Sequence, residues 1–234
     1  MRDSEQFDVA ARPSDQLHPH RQPTLVESHG HADGWKAGKR GIQNDLHPTV
    51  VRVHFTIADA TGPPLRGVER LGMSPLPVEA TFFVSTYRSA ANTPTGDPVG
   101  TAMIGLYCDD PPSRSLFHRL EFDEVWHFYA GDPLRLVLMY PDGSSADVVM
   151  GTDVLAGQLV QFVIPAGVWQ AGELVAGGTW ALFGCTMAPG FISTCFEGGR
   201  TDDLLATHPR RQFDIRRLGI PDDHDTSMPS GFAT

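Results

Sequence analysis

The sequence predicts an all-β protein whose main domain is a barrel or sandwich of short strands. Its second half contains short runs of β-branched and aromatic residues, and turn-forming groups such as Asp132-Pro133 and Pro141-Asp142-Gly143 separate several of them. Many short strands at regular spacing with such turns are typical of sandwiches and barrels. The predicted strands are residues 100–108, 114–119, 124–129, 134–140, 145–150, 159–164, 168–175 and 179–187.

The chain before these strands divides into a polar segment and a region with further strand signals. Residues 1–48 are polar and lack apolar periodicity, which predicts a flexible or loosely docked arm. Residues 49–57 are β-branched and partly alternating, which indicates a strand. Residues 68–73 indicate a helical turn, and residues 79–88 indicate another strand.

The chain after the strands is predicted to hold one short helix and a loose end. The helix is expected at residues 202–206, and the end is rich in proline and glycine. No internal repeat and no second full domain is visible in the sequence. We therefore predict one barrel domain at residues 49–218, with the arm at 1–48 before it and a loose tail at 219–234 after it.

Charge and cysteine content exclude several classes of protein. The net charge of −10 argues against a nucleic-acid partner, which needs a basic face, and against binding to an anionic membrane surface. No apolar run approaches the ~18 residues of a transmembrane helix. Cys108, Cys185 and Cys195 lack metal-type spacing and predict reduced, mostly buried thiols in a cytoplasmic protein.

Four sequence blocks, in order along the chain, carry a resemblance to a known family. Over residues 68–207 the chain resembles the cupin superfamily, and more narrowly the cupin_5 family, also called DUF985. The resemblance implies a cupin jelly-roll β-barrel (a double-stranded β-helix) with short flanking helices. It also implies a small-molecule pocket in the barrel mouth and a homodimer. The blocks are residues 83–89 (Phe-Val-Ser-Thr-Tyr-Arg-Ser), 117–134 (with Asp123-Glu124-Val125-Trp126-His127-Phe128-Tyr129-Ala130-Gly131-Asp132-Pro133), 163–170 (Val-Ile-Pro-Ala-Gly-Val-Trp-Gln) and 184–191 (Gly-Cys-Thr-Met-Ala-Pro-Gly-Phe).

The first block departs from the family pattern. The family commonly has His-Pro-Glu-Gly-Gly before its tyrosine-arginine pair, and here residues 76–80 read Leu-Pro-Val-Glu-Ala. Ser85 stands where that block has a further glutamate. The resemblance therefore implies a changed pocket wall, and with it a substrate that differs from that of other members.

The cupin metal motif, which supplies three histidines and one glutamate, is only half present. His118 matches its first histidine and Glu124 its carboxylate, but Leu120 and Gln170 stand at the other two histidine positions. An amide is a poor ligand for a transition metal. His127 is expected to point outward, because side chains alternate along a strand. We predict no cofactor; in the alternative, His118, Glu124 and Gln170 hold one divalent transition metal.

Without a metal, His118 and Glu124 are the candidate catalytic residues. Burial and mutual proximity can shift the pKa values of both side chains toward neutral pH. Tyr87 and Tyr129 are candidate acids beside them, since cupins similar to sugar epimerases pair a histidine base with a tyrosine acid. The candidate ligand-binding residues are Gln170, Trp126, Trp169, Arg88 and Phe128, which offer an amide, three aromatic rings and a cation.

Three functions are compatible with these residues. The first is acid–base chemistry on a small oxygenated metabolite, of the epimerase, isomerase, cyclase or dehydratase-lyase type, in specialised biosynthesis. The second is a metal-dependent oxygenase or isomerase, which needs at least three strong protein ligands. The third is a non-catalytic cupin that binds a small ligand. We expect the first.

Overall fold

The computed structural model describes residues 64–232 of the chain, with Pro64 and Leu65 described by their backbone alone. The arm predicted at residues 1–48 and the strand predicted at 49–57 lie outside these residues. All structural statements below refer to the described part.

Within it the chain forms eleven β-strands and three α-helices. None of these helices has the length and apolar character needed to cross a lipid bilayer. The elements are α1 (Pro64–Leu71), β1 (Ser74–Pro75), β2 (Phe82–Arg88), β3 (Thr101–Cys108), β4 (Ser115–Leu120), β5 (Glu124–Gly131), β6 (Leu134–Met139), β7 (Ser145–Met150), β8 (Gln161–Ile164), β9 (Trp169–Leu174), β10 (Trp180–Met187), β11 (Phe196–Gly198), α2 (Thr201–Thr207) and α3 (Gln212–Leu218).

The strands form two antiparallel sheets, which confirms the predicted all-β jelly roll. Sheet I has the order β1-β2-β3-β10-β5-β8, and sheet II has the order β11-β4-β9-β6-β7. Strand β10 is central in sheet I and pairs along its length with β3 and β5. Each strand has one face toward the other sheet, so residues of alternate parity reach the interior.

Strand β5 shows this alternation clearly. Glu124, Trp126 and Phe128 are buried between the sheets, whereas His127 is only half-buried on the outer face. There His127 Nε2 lies 3.0 Å from Thr186 Oγ1. The predicted outward orientation of His127 is confirmed.

One part of the space between the sheets is filled by apolar side chains. Tyr107, Leu136, Leu138 and Phe183 are fully buried there. The rings of Trp126 and Phe183 stack at 4.7 Å between centroids. These side chains fill that part of the interior.

Helices α2 and α3 cover the outer face of sheet II. Leu204 of α2 and Ile215 and Leu218 of α3 pack against Phe117 and Val137 of the sheet. The predicted helix at residues 202–206 is confirmed by α2, whereas α3 was not predicted from the sequence. A helix of only seven residues gives too little apolar periodicity to be recognised.

The C-terminal segment is packed against the barrel, and this corrects the expectation of a loose tail from residue 219. Ile220 and Met228 are buried. The Phe232 ring lies 5.7 Å from Phe83 and 6.3 Å from Phe191, measured between centroids. The backbone of Thr226 accepts a 2.7 Å hydrogen bond from Gly198 in β11. Proline and glycine stop regular structure in this segment, but its apolar side chains still dock.

Candidate functional site

A pocket of about 300 Å³ opens between the two sheets, beside the packed core. Strands β2, β3, β5 and β10 of sheet I line one side of it, and β4 and β11 of sheet II line the other. The loop between β1 and β2 and the C-terminal segment complete its walls. Buried polar side chains reach this pocket only from Glu79, His118 and Glu124.

His118 lies on β4 and is buried, with its ring stacked on Phe196 at 5.2 Å. Its Nδ1 lies 2.8 Å from the carbonyl oxygen of Leu116. A carbonyl oxygen can only accept a hydrogen bond, so Nδ1 carries a proton. In the neutral ring the lone pair is then on Nε2, which is the nitrogen available for proton exchange with a bound molecule.

Glu79 is the second buried polar group of the pocket. Its Oε2 lies 3.4 Å from His118 Nδ1 and 3.5 Å from Thr81 Oγ1, which donates to it. Burial raises the pKa of the Glu79 carboxyl; His118 and the hydroxyl of Ser115 oppose that shift, and the neighbouring Glu124 adds to it. This carboxyl therefore holds its proton to a higher pH than an ordinary glutamate, unless the imidazole beside it becomes charged.

The backbone around Glu79 is strained. Val78 has φ of 71° and Ala80 has φ of 64°, both in the left-handed region that non-glycine residues seldom occupy. Hydrogen bonds hold the loop there: Leu76 N donates to Thr81 O at 2.6 Å, and Ala80 N donates to Leu76 O at 3.2 Å. Strain of this kind is concentrated at functional sites, where the surroundings enforce it. Here it directs the Glu79 side chain inward.

Glu124, at the start of β5, is held by two donors. Trp126 Nε1 donates to its Oε2 at 2.9 Å, and Gln170 Nε2 donates to the same oxygen at 3.0 Å. Gln170 Oε1 in turn lies 3.1 Å from Trp126 Nε1 and accepts from it. The three buried side chains form a closed polar network that fixes the orientation of the carboxylate. Gln170 and Trp126 thus hold Glu124 by hydrogen bonds and do not themselves line the pocket.

A chain of hydroxyl groups leads from the core to Glu79. Tyr107 Oη donates to Ser115 Oγ at 2.6 Å, and Ser115 Oγ lies 2.8 Å from Thr81 Oγ1. Burial raises the pKa of the Tyr107 phenol well above its ordinary value, so it stays protonated. This chain supplies Glu79 with donors without exposing it to water.

Tyr87 and Tyr129 lie outside the pocket, and this corrects the expectation that they face His118 and Glu124. Strand β2 has a bulge between Ser85 and Tyr87. The bulge shifts the alternation, so Ser85 and then Arg88 line the pocket, while Tyr87 is 56 % exposed. Tyr129 is 49 % exposed, because alternation in β5 turns it away from the interior.

The aromatic candidates are also not pocket residues. Trp169 packs with the cluster beneath α2 and α3, and the Arg119 guanidinium lies 4.5 Å over its ring. Phe128 belongs to the packed core. Because Gln170 faces the interior, its neighbour Trp169 must face the helices. Arg88 does reach the pocket mouth, where its Nη1 donates to the carbonyl of Phe191 at 3.2 Å.

The donor atoms do not fit the four-ligand cupin metal site. Gln170 Oε1, the atom at the last histidine position, is engaged by Trp126, and Leu120 offers no donor. The residues described here contain no cluster of three or more His, Cys, Asp or Glu side chains arranged to hold a metal ion. Because Gln170 is used for internal hydrogen bonding, the set of His118, Glu124 and Gln170 suggested by the motif does not form a metal site.

Among the pocket residues that sequence reasoning missed, Glu79 and Phe232 matter most here: Glu79 is the third buried polar group, and Phe232 comes from the C-terminal segment. Glu79 lies in the stretch that stood out in the sequence only by its departure from the family pattern. Its neighbours gave no sign that the backbone there is strained or that the Glu79 side chain faces inward. The available signal was that Glu79 and Ala80 both stand at positions where the family has glycine. Phe232 lies in the segment predicted to be loose, and no local pattern indicates which wall it would complete.

Comparisons with known proteins agree with this fold. The family model described as Cupin_5, cupin superfamily (DUF985), matches residues 66–198. A solved structure from Shewanella oneidensis is 28 % identical, with a TM-score of 0.63 over 69 % of this chain and 99 % of that chain. A hypothetical protein from Leishmania major is 25 % identical, with a TM-score of 0.62 over 68 % and 99 %. No curated protein matches the sequence. The chain therefore belongs to the Cupin_5 (DUF985) family of the cupin superfamily.

Proposed function

We propose that the protein is a small-molecule enzyme that moves protons in the barrel-mouth pocket. The reaction would be of the epimerase, isomerase, cyclase or dehydratase-lyase type. The observation that supports it best is the buried group of Glu79, His118 and Glu124 at one pocket. Buried ionisable side chains are costly, and they are concentrated at functional sites.

His118 is the proposed general base. Its Nδ1 proton is directed to the Leu116 carbonyl, so Nε2 is left to take a proton from the substrate. When it does, the ring becomes positively charged 3.4 Å from Glu79 Oε2. A carboxylate at that distance stabilises the imidazolium, as the aspartate does in a serine-protease triad.

Glu124 is the proposed second proton-transfer group. Two donors fix its Oε2, and the thiol of Cys185 lies beside it. Burial raises the pKa of that thiol well above its ordinary value, so the thiol remains neutral beside Glu124. A base and a separate acid in one pocket permit removal of a proton at one atom and its return at another.

Solvent-deuterium incorporation tests this proposal, because a reaction that removes a carbon-bound proton and returns one exchanges that hydrogen with the solvent. The protein would be incubated in D₂O with a mixture of hydroxy-ketones and hydroxy-acids, some with aromatic or alicyclic rings and some sugars. Mass spectrometry then detects exchanged carbon-bound hydrogen. We expect exchange in one or more compounds with the wild type, and its loss in His118→Ala and Glu124→Gln.

Glu121→Gln is the matched control for Glu124→Gln, because Glu121 is an exposed carboxylate outside the pocket. It should exchange like the wild type. Full exchange in both site variants, with the same compounds, would remove His118 and Glu124 from the mechanism. Binding without any exchange in the wild type would favour the non-catalytic cupin instead.

A further inference from the structure

The walls of the pocket are far more apolar than its floor. Four phenylalanines, two methionines and two leucines line it. Beyond the buried group of Glu79, His118 and Glu124, its other polar side chains stand at the mouth. They are Ser85, Arg88 and Thr101; Thr101 Oγ1 accepts from Phe191 N at 2.8 Å, and Arg88 Nη1 donates to Phe191 O at 3.2 Å.

The free hydrogen-bonding atoms of the floor belong to one small group, Glu79, His118 and Glu124. Across residues 64–232, no buried side-chain nitrogen or oxygen lacks a partner. A polyhydroxylated ligand would bury several hydroxyl groups against phenylalanine rings without partners, at roughly 1–3 kcal/mol each. A ligand with one oxygen can place it against His118 Nε2 and leave the rest of its surface to the apolar walls.

Phe83, Phe191 and Phe232 form an aromatic corner at the mouth of the pocket. The Phe232 ring meets Phe191 edge to face, with an angle of 89° between the rings, and it meets Phe83 at 51°. These rings come from three distant parts of the chain, and Phe232 also lines the pocket. Such a corner offers ring faces and edges that suit a flat apolar molecule.

The pocket volume limits the size of the ligand. About 300 Å³ lies at the lower end of small-molecule sites, which is enough for a one- or two-ring molecule and too small for a peptide helix. We infer that the ligand is a compact, mostly apolar ring compound with a single hydroxyl or carbonyl oxygen, bound with that oxygen at His118. This inference rests on the proposed function, since it names the substrate class of the same site.

Two probes of similar size and opposite polarity test the inference. One is 2-naphthol, with two fused rings and one hydroxyl; the other is glucose. Isothermal titration calorimetry on the full chain should show saturable binding of 2-naphthol, with a Kd at least about tenfold below that of glucose. Of the two probes, only 2-naphthol can bury its surface without leaving hydroxyl groups that lack a hydrogen-bond partner. Tighter glucose binding, or no saturable binding of 2-naphthol, would overturn the inference.

A pair of phenylalanine variants locates the binding. Phe232→Ala should weaken 2-naphthol binding by about tenfold, the loss expected on removing a ring from an apolar wall. Phe213→Ala is the control, because Phe213 is 82 % exposed on α3 and lies outside the pocket. It should leave the Kd unchanged. Equal affinities in both variants would place the probe elsewhere and overturn the inference.

The emission of bound 2-naphthol separates this inference from the proposed function. In its excited state 2-naphthol is a strong acid, and its emission colour reports whether a nearby base takes the proton. We expect anion emission in the wild type and neutral emission in His118→Phe, which preserves a ring to stack on Phe196. Tight binding with the same emission in both proteins would sustain the ligand class and refute proton acceptance by His118.

Discussion

At the scale of single residues, the side chain that governs the pocket most directly is Glu79. It is 6 % exposed, faces the imidazole of His118, and lies between two residues with positive φ. The backbone strain and the buried carboxyl are two costs at one position. Both are offset by the hydrogen bonds that Thr81 and the loop backbone provide.

The strain at Ala80 predicts a stabilising substitution. An L-residue in the left-handed region costs about 1–2 kcal/mol, whereas glycine does not pay this penalty but loses more chain entropy on folding. Ala80→Gly should therefore raise the free energy of unfolding by about 0.5–1 kcal/mol, measured by urea denaturation. Ala156→Gly, at an exposed position without positive φ, should lower it instead. A loss of stability in Ala80→Gly would show that the loop relaxes without strain.

The buried carboxyl of Glu79 predicts a pH dependence of stability. Its pKa is raised above the ordinary 4.5, so the folded chain binds this proton more tightly than the unfolded chain does. The resulting stability is fully present below pH 4.5 and is lost as the pH rises through the folded pKa. Glu79→Gln cannot titrate, so its free energy of unfolding should rise relative to the wild type over that window.

Urea denaturation at a series of pH values measures this difference, and Glu121→Gln is the control. Glu121 is exposed, and its replacement should leave the pH profile parallel to that of the wild type. A parallel profile for Glu79→Gln as well would mean that Glu79 titrates normally in the folded protein.

At the scale of elements, α3 shows how a short helix is held by two kinds of contact. Ile215 and Leu218 are fully buried against sheet II. Asp214 on the same helix accepts hydrogen bonds from Arg135 at 2.9 Å and 3.2 Å, and it also pairs with Arg211 and Arg217. The apolar contacts supply most of the stability, and the ion pairs align the helix on the sheet.

This division predicts unequal effects of two substitutions on α3. Ile215→Ala removes a fully buried side chain and should cost about 2–5 kcal/mol of unfolding free energy. Phe213→Ala, two residues earlier and 82 % exposed, should change it by less than about 0.5 kcal/mol. Thermal or urea denaturation compares them directly. Equal losses would show that Phe213 is covered in solution.

The bulge in β2 determines which side chain of this strand lines the pocket. With regular alternation from Phe83 and Ser85, Tyr87 would be next in line to face the pocket. The extra residue gives that place to Arg88, whose neighbour across the strand pair is Thr101. Bulges are not specified by a recognisable local pattern, so the sequence could not decide between these two side chains.

At the scale of the whole molecule, the barrel contains its own core within residues 64–232. The clusters between the sheets and beneath the helices draw only on these residues, and the family match covers 66–198. We therefore expect the chain without residues 1–48 to fold. Circular dichroism and size-exclusion chromatography should show a cooperative thermal transition and no aggregate, and aggregation of this truncation would contradict the prediction.

The sequence by itself determined the positions of strands β2 to β10, the fold class and the two residues of the metal motif that survive, but it gave no sign of the short strands β1 and β11. These follow from local signals, because alternation, turn residues and block order are properties of neighbours along the chain. It therefore predicted that His118 and Glu124 share a site, and that His127 does not join them.

Only the tertiary structure decided what surrounds them. Glu79, His118 and Phe232 lie far apart in sequence and meet because a strained loop, strand β4 and the C-terminal segment converge on one end of the barrel. Gln170 turned out to hold Glu124, and Tyr87 turned away, because packing across the sheets and the bulge in β2 set side-chain direction. Such contacts depend on the closure of the whole barrel, and no window of the sequence contains them.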